Sequence, residues 1–241
     1  MKQLSPESAT TPTLTRLIQP PQNIILAGPQ GSGKNVYGKK LMADYQYSRL
    51  VMGDRLRDLA TEDTPLGRDI AHIQHEGLKV DDQTVMRVVD QFLETRSEIA
   101  ASLNNGSAEI ALRSLYDGVP RFIPQKPLFD DRLEQSGRFP AIAVELSVSE
   151  ATARSNIAHR LKKEGRRDDG DDAAITRRLG GYFERGGTRD MLESYAKEGR
   201  LVTIDAELGL DLNDPQVDEA QVQAAFACVY ASLLEELTRV S

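Results

Sequence analysis

Seven consecutive residues, Gly28-Pro29-Gln30-Gly31-Ser32-Gly33-Lys34, have the types and spacing needed to hold phosphate. Glycines let successive backbone N–H groups curl around phosphate oxygens, and the N-terminus of a following helix adds positive potential. Lys34, at the seventh place, can neutralise the β/γ region of a nucleotide. A dinucleotide-binding turn is the nearest rival, but it needs G-x-G-x-x-G and no lysine at this place, and Gly31-Ser32-Gly33 lacks the third glycine. The pattern also asks for a hydroxyl residue after the lysine, and here Asn35 and Val36 follow. A lost hydrogen bond to a charged group is worth about 1.5–3 kcal/mol, so Asn35 would have to supply an amide donor in its place.

Such a loop works only between a strand and a helix, and both are legible. Ile24–Ala27 is a short apolar run that stops at Gly28, as a strand buried on both faces does. Beyond the loop, Val36, Tyr37, Leu41, Met42 and Tyr45 recur at helical spacing. Further strands are predicted over Arg49–Met52, Ile110–Tyr116, Ala141–Leu146 and Leu201–Ile204. Five strands separated by helical stretches predict an α/β fold with a parallel sheet flanked by helices. Asp81 and Asp82 can cap a helix running to Leu103, where Asn104-Asn105-Gly106 would end it. Ser147 and Glu150 have capping-box spacing before another helix. Asp214-Pro215 would start the last helix, whose apolar stripe is Val222, Phe226, Val229, Leu233 and Leu237. Cys228 in that helix reads as a small core or boundary residue. Leu161–Asp172, where basic residues pass directly into acidic ones, predicts an exposed loop, and residues 1–22 predict a mobile arm.

Composition narrows the classes. A chain of 241 residues can bury a substantial core in one large domain. One cysteine allows neither an internal disulfide nor a zinc cluster, which fits a reducing compartment, and the cytoplasm is the expected home. No apolar run is long enough for a signal-peptide core or a spanning helix, so no membrane association is expected. His72 and His75 resemble a metal pair only weakly and read as solvated. With 30 Lys+Arg against 37 Asp+Glu the net charge is -7, which argues against nucleic acid as a partner. The deficit lies in residues 201–241, where eight acids face the single Arg239. By contrast, Arg154 to Arg167 is strongly basic, which suits a small phosphate-rich ligand.

Several further segments resemble the adenylate kinases of the nucleoside monophosphate kinase family, from about Asn23 to the C-terminus. Met52-Gly53-Asp54-Arg55-Leu56-Arg57 resembles the family's T-G-D-x-x-R, Leu66-Gly67 its L-G turn, and Gly77-Leu78-Lys79-Val80-Asp81 its G-x-x-V-x-D. Asp117-Gly118-Val119-Pro120-Arg121 with Gln125 resembles D-G-F-P-R-x-x-x-Q, and Arg160, Arg166-Arg167 and Arg178 resemble the arginines of the family's short lid. The family has Gly-Thr at Asn35-Val36, Thr at Met52, Phe at Val119 and a lid-helix arginine near Ser155 or Asn156. The resemblance implies a P-loop NTPase core formed by 23–53, 108–159 and 176–241, an acceptor-binding helical insert at 54–107 and a short lid at 160–175.

It implies transfer of the γ-phosphoryl of Mg-ATP to a nucleoside monophosphate, foremost AMP, giving two ADP. The alternative is a nucleotide-binding sensor with impaired catalysis. Gly28, Gly31, Ser32, Gly33, Lys34 and Asn35 would hold the ATP phosphates. Gly53, Arg57, Val80, Gly118, Arg121 and Gln125 would hold the acceptor. Lys34, Arg121, Arg160, Arg178 and either Arg166 or Arg167 would surround the transferring group, while Asp54 and Asp117 orient water on Mg²⁺ without direct ligation. A monomer is expected, with residues 96–107 as an extra surface for a protein partner.

Overall fold

A computed structural model of the chain describes residues 21–76, 78–103, 105–164 and 172–240. The expected arm, apart from Pro21 and Gln22, lies outside the described residues, as do Arg166 and Arg167.

The central strand β1, Asn23–Ala27, is buried at all five positions. Around it lie β2 (Ser48–Val51), β3 (Ser114–Asp117), β4 (Ile142–Ser147) and β5 (Leu201–Asp205), in the order β2-β3-β1-β4-β5 and parallel throughout. This is the α/β sheet that the sequence predicts. The chain builds β2 and β3 on one side of β1, then crosses to build β4 and β5 on the other. At such a reversal the two crossovers diverge, leaving a crevice beyond the carboxyl ends of the strands. Gly28 begins at that crevice.

Alternation along β1 divides the core in two. Ile25 and Ala27 join Leu50, Tyr116 and Ala143 on one face. That face is covered by α2 (Met52–Leu59), α3 (Pro65–His75), α4 (Asp82–Ala101), α6 (Gln125–Gln135) and α9 (Thr188–Lys197), through Leu59, Ile70, Val89, Phe129 and Met191. Ile24 and Leu26 join Leu115, Val144 and Val202 on the other. There α1 (Lys34–Tyr45), α7 (Glu150–Glu164), α8 (Asp172–Phe183) and α10 (Glu219–Arg239) contribute Leu41, Ile157, Leu179 and Leu233.

Several local expectations are corrected. Ile110–Leu112 belong to α5 (Asn105–Leu112) and not to β3, because a short apolar run has no periodicity to separate strand from helix. Asn105 and Gly106 open that helix, α4 having stopped at Ala101. Arg96 secures the turn by donating from Nε and Nη2 to the Ala111 carbonyl, at 3.0 and 2.6 Å. Met52 starts α2 and does not extend β2. The cap of α7 is Ser149, whose Oγ accepts from the Thr152 N–H at 3.1 Å, and not Ser147. Asp214 accepts from the Gln216 N–H in a turn, and α10 starts later, under a capping box of Asp218 and Gln221. Residues 161–164, expected in the loop, complete α7. His72 and His75 are exposed on α3.

Cys228 is exposed, contrary to the core or boundary reading, since α10 buries Val229, Tyr230, Leu233 and Leu237 on its other side. Leu233→Ala should therefore destabilise the protein by roughly 2–5 kcal/mol in urea unfolding, while Cys228→Ala should stay within about 0.5 kcal/mol of the parent.

Candidate active site

The loop from Gly28 to Gly33 takes its shape from three glycines with positive φ: 141° at Gly28, 90° at Gly31 and 84° at Gly33. Space demands glycine as well as conformation. A Cβ on Gly28 would lie 2.6 Å from the Leu146 carbonyl oxygen of β4, and one on Gly31 would lie 2.5 Å from the Ala153 oxygen of α7. Asn156 on α7 adds a hydrogen bond of 2.9 Å from Nδ2 to the Gly31 carbonyl. The loop is thus wedged between the sheet and α7, and α1 begins at Lys34.

Lys34 donates from Nζ to the Gly28 and Pro29 carbonyls, both at 2.7 Å. An ammonium has three donors, so one remains for a ligand. Desolvation lowers its pKa to about 8; Asp117 opposes the shift, and Arg121, Arg160 and Arg49 add to it. These residues line one cavity of about 710 Å³, together with Gly31, Ser32, Gly33, Asn35, Asp54, Gly118 and Arg178. Arg121 and Arg178 are close enough that, after desolvation as the larger cause, Arg178 pushes the Arg121 guanidinium below its ordinary value. An apolar stretch of the same wall is made by Leu208, Leu212, Val222 and Phe226. A cavity lined by both massed cations and apolar side chains suits a nucleotide, with phosphates against the first and the base against the second.

Both carboxylates expected near the phosphates are present, each already paired. Asp117 binds the Arg49 guanidinium through Oδ2, and Asp54 binds Arg57 through Oδ1. Mg²⁺ keeps several waters and leans on substrate phosphates, so the second oxygen of each carboxylate fits a water-mediated role. Among the described residues no group of three or more His, Cys, Asp or Glu could hold a metal directly.

Of the remaining expected residues, Gly53, Arg57, Val80 and Gln125 are not on the cavity wall. Arg57 is exposed on α2. Gln125 is buried with both ends of its amide engaged: Oε1 accepts from the Arg121 N–H at 2.7 Å and Nε2 donates to Asp82 at 2.8 Å. Arg166 and Arg167 fall outside the described residues. Arg49, Asn156, His159 and Lys163 also line the cavity, though none belongs to the motifs that mark the site in the sequence. Arg49 had a signal, since a charged residue inside a buried parallel strand needs a partner. Asn156 had none, because its role depends on where α7 crosses the loop.

Residues 26–200 match the family model described as "Adenylate kinase". The chain is 30% identical to an adenylate kinase of Maricaulis maris over 189 residues, covering 78% of this chain and 93% of the relative. It is 29% identical over 203 residues to that of Hyphomonas neptunium, covering 84% and 100%, and 28% identical over 204 residues to that of Thermus thermophilus, covering 85% and 96%.

Lys34 carries a stability cost that can be measured. Its ordinary pKa is 10.5 and its folded value about 8, so between those two pH values the unfolded chain binds more protons and stability rises with pH. Below pH 8 the full cost of the enclosed charge is present. Lys34→Met should stabilise the unliganded protein at pH 7 by roughly 1–3 kcal/mol, allowing for the residue's partial exposure and its lost hydrogen bonds, and the gain should vanish as pH approaches 10.5. Urea unfolding of both proteins across pH 7–10 checks it.

Proposed function

The chain belongs to the adenylate kinase family and is a nucleoside monophosphate kinase-type phosphotransferase; on that premise we propose that its donor is Mg-ATP, its acceptor AMP and its product two molecules of ADP. The observation that carries this reading is the single cavity in which the glycine loop, Lys34, Arg121, Arg160 and Arg178 meet.

Phosphoryl transfer asks little covalent chemistry of a protein and much positioning and charge stabilisation. In this reading the backbone N–H groups of Gly31 to Lys34 cradle the β-phosphate and the start of α1 faces it. Lys34 turns its remaining donor to the γ-phosphoryl, and Arg121, Arg160 and Arg178 spread over the oxygens that pass from donor to acceptor. Either Arg166 or Arg167 joins them from the lid. The donor base lies against Val222 and Phe226. Mg²⁺, when bound, would neutralise phosphate charge, and Asp54 and Asp117 would hold the water around it. The acceptor is bound by Gly53, Arg57, Val80, Gly118, Arg121 and Gln125, for which Arg57 must exchange Asp54 for phosphate and Gln125 must release Asp82. That exchange couples acceptor binding to movement of α2 and the insert, which also excludes water from the donor. The enzyme works as a monomer in the cytoplasm.

A coupled assay of ADP formation from ATP with AMP, GMP, CMP and UMP tests the reading. AMP should be preferred, and Lys34→Met should remove activity. Arg57→Met should raise the KM for AMP by about ten-fold or more and leave that for ATP within about two-fold, because a charge-assisted bond to phosphate is worth more than about 1.4 kcal/mol. Absence of Lys34-dependent turnover with every acceptor would overturn it.

A further inference from the structure

Arg49 lies in β2 next to the core residue Leu50, and its side chain is only 6% exposed and lines the cavity. Its guanidinium makes two contacts. Nη2 donates to Oδ2 of Asp117 at the end of β3, and Nη1 donates to Oδ1 of Asn35 at 3.0 Å. The guanidinium also packs closely on Gly38 of α1, where a Cβ would lie 2.8 Å from its Cζ and would force it to shift. A planar fork held by a carboxylate on one side and a helix on the other has one orientation.

That orientation decides which way Asn35 points. An amide has an accepting oxygen and a donating nitrogen, and a guanidinium only donates. The oxygen of Asn35 must therefore face Arg49, and the NH₂ must face the other way. Asn35 is exposed, lines the cavity and makes no hydrogen bond from Nδ2 among the described residues. It occupies the first turn of α1, directly after Lys34, where a phosphate-loop pattern calls for a hydroxyl. Val36 has no polar atom to offer.

We propose that Arg49 is a positioning residue for the donor nucleotide: it holds Asn35 so that the amide NH₂ is presented to a donor-phosphate oxygen, in place of the hydroxyl absent at this turn. Asp117 acts as the anchor that holds Arg49 itself. This inference rests on the reading of the cavity as an ATP site. Asn35 and Arg49 form one device, so removing either member should do most of the damage that removing both does.

The test is a double-mutant cycle on ATP affinity, by calorimetry with the full chain. Asn35→Ala should weaken ATP binding by about ten-fold, as expected for a hydrogen bond to a charged group, and leave AMP binding unchanged. Arg49→Lys keeps a positive charge beside Asp117 but cannot bridge to Asn35, and should weaken ATP binding to a similar degree. The double variant should be no more than about two-fold weaker than Arg49→Lys alone. In an Asn35→Gly/Val36→Thr chain, which carries a hydroxyl in place of the amide, Arg49→Lys should cost less than about two-fold, a rescue that a merely structural arginine would not give. Multiplying effects of Asn35→Ala and Arg49→Lys would overturn the proposal while leaving the ATP site intact. So would an Asn35→Ala protein that binds ATP within about two-fold of the parent, which decides the matter even if Arg49→Lys does not fold. No ATP binding by the parent chain would instead remove the ATP reading on which the proposal stands, and the proposal with it.

Discussion

Lys34 stands beyond the carboxyl end of β1 with its ammonium on two loop carbonyls, and its proton is loosened by desolvation and by Arg121, Arg160 and Arg49, against the opposing pull of Asp117. Like charges gathered this closely repel, so the rest of the fold must hold them together. The rigid part of the solution is the sheet: β1, β3 and β4 are buried and in parallel register, and their ends fix Gly28, Asp117 and the strand-to-helix turns. The second part is α7, which presses on Gly31 through Ala153 and Asn156. A site that is unfavourable when empty and favourable around a polyanion gains affinity from that difference, in keeping with the family's phosphoryl transfer.

The two halves of the site differ in what they are built on. The donor side of the proposed reading rests on β1, α1 and the two core layers, and most of its expected residues share one cavity. The acceptor side of the proposed reading rests on α2 to α4 and the start of α6, where Arg57 and Asp54 pair with each other and Gln125 is tied to Asp82. The Gln125 pair satisfies a buried amide that would otherwise be orphaned, whereas Arg57 and Asp54 pair at the surface. Both pairs are also the contacts that an acceptor phosphate and base would have to displace.

How much could be read from residue order follows from the range of the interactions involved. The β1–loop–α1 unit is local: apolar run, glycines, lysine and helical spacing lie within one stretch, and the structure agrees with the reading there. The helix boundaries near Ser147, Asp214 and Ile110 differ from the sequence expectation because several capping or apolar residues compete within a few positions, and packing chooses among them. Cys228 was misjudged by residue type, although the stripe of Val229, Leu233 and Leu237 already points to the opposite side of α10. Arg49 and Asn156 contribute through partners 68 and 125 positions away; a charge inside a buried strand hints that Arg49 has a partner but not which one, and nothing local announces Asn156. Asn35 was visible as a departure, but its orientation is set by a strand residue that only the fold brings near.

Proton uptake on ATP binding is the most direct measure of the charge that organises the cavity. At pH 8.5, above the Lys34 pKa of about 8, much of the ammonium is neutral in the free protein, and a bound polyphosphate should restore its proton. Calorimetric titration of ATP in buffers of different ionisation enthalpy should show net uptake of up to about three quarters of a proton, and Lys34→Met should abolish it. Binding heats that do not depend on the buffer at that pH would contradict the account.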